Sequence, residues 1–99
     1  MIILDRFAQT VEGVIHLLRL ELPAIKDKKK QESIRNTVEI LSKILREVNG
    51  TAALDALRLE QMIFIAKGHV HRHFNSTSHE RQRIIKMLSA IKEVYDEAE

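Results

Sequence analysis

Apolar residues along this chain recur at intervals of three and four, the pattern of helices that each bury one face. In "ILDRFAQTVEGVIHLLRLEL", Leu4, Phe7, Ala8, Val11, Val14, Ile15, Leu18 and Leu22 share a face. The spacing predicts a first helix over about 3–22. Pro23 ends it, because the residue before a proline is pushed out of the α region. A basic connector, "PAIKDKKK" over about 23–30, follows. A second helix is predicted over about 29–48. Ile34, Val38, Leu41, Ile44, Leu45 and Val48 form its stripe, with Arg35, Glu39, Ser42, Lys43 and Arg46 opposite. Asn49 and Gly50 supply a left-handed stop.

The third segment, about 51–73 with Thr51 as N-cap, is apolar on two sides. One side carries Leu54, Leu57, Phe64 and Ile65. The other carries Ala52, Ala56, Leu59, Ile63, Ala66, Val70 and Phe74. Such a helix is either central in a bundle or shared with a partner. The fourth starts after Thr77, where "TSHE" fits a capping box with Glu80 reaching back. Ile84, Met87, Leu88, Ile91, Val94 and Tyr95 are its buried face, and it frays into an acidic tail over about 96–99. Four helices with short connectors predict an all-α fold in a single domain over 1–99. The simplest form is a small up-down antiparallel four-helix bundle; completion by dimerisation is the alternative.

Composition narrows this picture. Three glycines and one proline leave too little punctuation for a β protein. The absence of cysteine excludes disulfides and thiolate metal sites and suits a reducing, cytoplasmic setting. No segment reads as a signal peptide or membrane span, so no membrane partner is expected. The formal charge is only +2, but five histidines add positive charge as pH falls through about 6.5.

Candidate chemistry concentrates in "KGHVHRHFNSTSHE", residues 67–80, which holds four of the five histidines. His69 and His73 lie one helical turn apart and can chelate a metal, with His79 as a third ligand. No H-E-x-x-H pattern accompanies them, and a solvated helix end favoured by the helix dipole explains the same residues. His71 points elsewhere on the helix. The expectation is therefore no cofactor. "FIAKG" resembles the core of histidine phosphotransfer bundles, but Phe64 stands where the phosphorylated histidine belongs, which excludes that chemistry.

Arg72 and His79, with six residues between them, resemble the Arg-to-His motif of the HEPN family of all-helical ribonucleases. The resemblance covers these eight residues alone. It implies a helix junction in a small bundle, two copies meeting across a dimer, and Arg72 and His79 acting on a scissile phosphate without metal. The family carries Asn or Asp after the arginine, where this chain has His73.

Two basic clusters, Lys28, Lys29 and Lys30 in the connector and Arg81 and Arg83 after the turn, are candidate anion contacts. No aromatic residues interleave them for base stacking. The sequence also lacks a Gly-rich phosphate loop and a nucleophile elbow. The functional expectation is a small helical interaction module, a regulator or adaptor, that buries an apolar helix face against another protein or a second copy in a homodimer. Its expected anchors are Leu17 and Leu20 beside Gly13, and Leu59, Ile63 and Val70. The alternatives are the HEPN-like ribonuclease and a basic nucleic-acid-binding module.

Overall fold

The structure, a computed structural model, describes residues 2–49, 55–75 and 78–98. Among these it contains four helices and no strand: α1 (Ile2–Glu21), α2 (Lys28–Asn49), α3 (Ala56–His73) and α4 (His79–Ala98). A single 3-10 turn, Leu22–Ala24, follows α1 with Pro23 in its first turn, where a missing N–H costs nothing.

Polar side chains set the helix starts. Asp27 Oδ1 accepts from the backbone N–H of Lys29 at 2.8 Å and of Lys30 at 3.3 Å. The acid that interrupts the lysine run is therefore the cap of α2. Lys28, Lys29 and Lys30 form the first turn of a helix and not a loop, which corrects the connector's predicted extent. Asp55 Oδ1 accepts from Arg58 N at 2.7 Å and caps α3, so α3 begins later than the pattern predicts. Thr51, Ala52 and Leu54 lie outside the described residues, as do Gly50 and Thr77. Ser78 caps α4, its Oγ accepting from Arg81 N at 3.3 Å, and α4 stays helical to Ala98.

Each helix packs against two others: α1 and α3 both lie between α2 and α4, and α1 and α3 face each other across the ring. Cross-helix contacts fix the directions. Arg58, early in α3, bonds Glu47, late in α2. Arg83, early in α4, pairs with Glu21 at the end of α1. Arg6 and Glu97 meet at 3.8 Å at the opposite end. Every neighbouring pair therefore runs antiparallel, as short connectors require.

The core takes Phe7, Val11 and Leu18 from α1, Ile34, Leu41 and Ile44 from α2, and Ile84, Leu88 and Ile91 from α4. Phe7 meets Tyr95 edge to face, with ring centroids 5.4 Å apart, a favourable aromatic geometry. From α3 come Leu59, Met62, Ile63, Ala66 and Val70, with Phe74 just past its end. This corrects one expectation. Leu59, Ile63 and Val70 are spent inside the bundle and offer no anchor to a partner. The ring buries one side of α3, and it takes the longer apolar stripe.

Leu59→Ala and Leu57→Ala separate the two sides. The first should cost about 2–5 kcal/mol by urea unfolding. The second, in dilute solution, should stay within about 0.5 kcal/mol of the wild type.

Candidate functional site

The side of α3 that the core leaves out is apolar. At about 100° per residue, Leu57, Gln61, Phe64 and Gly68 fall in one sector, with Ile65 at its edge. Phe64 is 77% exposed, Leu57 64% and Ile65 54%. With Glu60 and Gln61 they line a shallow apolar depression. Gly68 continues the sector by one turn. A Cβ added there would meet no atom within 4 Å, so the chain's own packing does not ask for glycine. Yet glycine within a helix costs about 1 kcal/mol relative to alanine.

The outer face of α1 lies on the opposite side of the ring. It exposes Leu17 and Leu20, at 48% and 62%, beside Gly13, whose surroundings are equally open. These are the two sequence-predicted anchors that do reach the surface. Exposed Glu12, His16 and Arg19 interleave with them, so the apolar area is smaller and carries no aromatic ring. Charge patterning could not have found the α3 face, but the second apolar stripe visible in the sequence was its signal.

The end of α3 is fixed from α2. Ser33, fully buried, donates its hydroxyl to the His69 carbonyl oxygen at 2.6 Å. Thr37, equally buried, donates to the Ser33 carbonyl at 2.8 Å. Both hydroxyls therefore avoid the penalty of an unpaired buried polar group. Lys30 lies 5.5 Å from the centroid of the Phe74 ring, a cation–π distance, so one lysine of the basic run covers the core.

His71 faces α4. With His79, Arg81, Arg83 and Lys86 it lines an open groove of about 650 Å³ between the end of α3 and the start of α4. Arg81 donates to His71 Nδ1. Among the described residues no carboxylate lines this groove. Up-down topology brings the ends of α1 and α3 and the starts of α2 and α4 together. Lys28, Lys29, Arg81 and Arg83 thus all sit at one end of the bundle, although Arg83 is already paired with Glu21. At the other end, the hydrogen bond and then the charge of Glu47 hold the Arg58 proton more firmly than usual.

The predicted histidine constellations are not assembled. His69 lines a depression on the α2 side with Glu39 and Lys43, His79 lines the α4 groove, and His73 is half-buried. Among the described residues no three His, Asp or Glu side chains converge as metal ligands. Arg72 is exposed and is not in the wall that His79 lines. One residue of helix rotation separates it from His71, so within one chain the HEPN-like pair does not share a groove. His71, which the helical pattern turns away from His69 and His73, is the histidine that shares a groove with His79.

Among the described residues no helix is long and apolar enough to cross a membrane. No family model, curated protein or solved structure matches the chain.

Proposed function

We propose that this protein is a helical protein-interaction module that acts by burying the outer face of α3 against another protein surface. The observation that carries this reading is the exposure of Phe64 between Leu57 and Ile65 on a helix whose other side is core. Burying such side chains releases about 25 cal/mol per Å² of apolar surface, and an aromatic ring at the centre of a patch is the usual anchor of an interface. Leu17 and Leu20 offer a smaller second contact on α1. Lack of cysteine suits a reducing, cytoplasmic environment.

A second reading rests on the basic end. A groove with Arg81, Lys86 and two histidines, and no carboxylate among the described residues of its wall, suits a phosphate-bearing ligand, nucleic acid included. Labelled single-stranded RNA should then bind at low salt, weaken steeply as salt rises, and bind less to Arg81→Glu. Absent or salt-independent binding removes this reading.

For the principal reading, Leu57→Glu/Phe64→Glu should keep the wild-type helicity and melt within a few degrees of it, because neither side chain is in the core. The same variant should be lost from the complexes that the wild type forms under in-cell crosslinking. A variant that stays in those complexes contradicts the assignment.

A further inference from the structure

We propose that the outer face of α3 is covered by the same face of a second copy of this chain. The two α3 helices would run antiparallel, with Phe64 beside the two-fold axis. This rests on the reading of that face as a protein contact, and adds the partner and the register.

The argument starts from charge. Glu60 and Lys67 flank the apolar sector on the same side, seven residues apart. Among the described residues no ion pair within the chain engages either of them. A two-fold interface is isologous: if residue i meets residue j, then j meets i. With α3 antiparallel to its copy and Phe64 at the axis, Glu60 lies opposite Lys67 of the second copy, and Lys67 opposite Glu60. A parallel two-fold carries the Glu60 and Lys67 of the two copies to opposite sides of the interface and leaves them unpaired with each other. The antiparallel arrangement also opposes the two helix dipoles. It brings Arg72 of each copy to the start of the other α3, where Asp55 is exposed.

Shape agrees with charge. In this register Phe64 and Ile65 meet their counterparts, so the most exposed apolar chains are central. Gln61 falls beside Gly68 of the second copy. A long side chain then lies over a position that has none, which gives Gly68 the close-approach role that the chain's own packing does not supply. The exposed ion pairs contribute little affinity and chiefly select direction and register.

The test uses the whole chain. By sedimentation equilibrium the wild type should dimerise. Glu60→Lys and Lys67→Glu should each weaken the dimer by about tenfold. Mixing the two variants should restore it, since both contacts are then of opposite sign. Because the chain has no cysteine, single cysteines report register cleanly. Ile65→Cys should cross-link to itself under mild oxidation. Leu57→Cys should not, because the two copies of that position lie about 20 Å apart along the helices and a disulfide needs Cα atoms within about 7 Å. Efficient Leu57→Cys cross-linking overturns the antiparallel register. A dimer broken by Leu17→Glu/Leu20→Glu but not by Phe64→Glu moves the interface to α1 and overturns the proposal. A wild-type monomer whose cellular complexes are still lost on Phe64→Glu overturns self-pairing alone. A dimer indifferent to the charge variants and to Phe64→Glu overturns self-pairing and the α3 contact together.

Discussion

Four helices packed in a ring leave each helix one outward side, and in α3 that side is apolar. A helix in such a ring buries the sector between its two neighbours and the centre, roughly half its circumference. α3 carries apolar residues on both halves, so the fold must choose. It buries Leu59, Met62, Ile63, Ala66 and Val70, a stripe that continues to Phe74. Leu57, Phe64 and Ile65 are left outside as a consequence of geometry and not of any local preference. Exposing a phenylalanine between two aliphatic side chains works against a monomer's solubility.

The same ring sorts charge. Reversing direction at each connector places the starts of α2 and α4 beside the ends of α1 and α3. Two basic clusters distant in sequence thereby come to one end. Buried Ser33 anchors the end of α3 to α2 through the His69 carbonyl, and Arg81 reaches back from α4 to His71. The histidine-rich segment is thus divided among faces: His69 towards α2, His71 and His79 towards the α4 groove, Arg72 outward beside the apolar sector. Among the described residues, four histidines close in sequence do not converge on one metal, because helical rotation and a turn send them to different walls.

Much of the fold was legible because periodicity reports burial directly. The stripes of α1, α2 and α4 enter the core as their spacing predicts, through residues such as Leu18, Leu41 and Leu88. Less legible were features that depend on which partner a side chain finds. Asp27 reads as a break in a basic run, but its geometry makes it a helix cap. Ser33 and Thr37 look like surface polar residues, yet each finds a carbonyl acceptor and is buried. On α3 the sequence displays both stripes, and nothing local says which one the ring will take. Leu59, Ile63 and Val70, the anchors that the sequence suggests for a partner, are buried in the bundle. The longer stripe, continued by Phe74, is the one that closes the core.

The central claim is that the Leu57–Phe64–Ile65 side of α3 is solvent-facing in the free chain and becomes covered on association. Methyl NMR with a soluble paramagnetic agent, over a range of protein concentrations, measures this directly. In dilute solution the Leu57 and Ile65 methyls should relax strongly and the Leu59 and Ile63 methyls weakly. At high concentration Leu57 and Ile65 should become protected while Leu17 and Leu20 stay exposed. Protection of Leu57 and Ile65 at every dilution, or exposure of Leu59 and Ile63 in their place, would contradict the account.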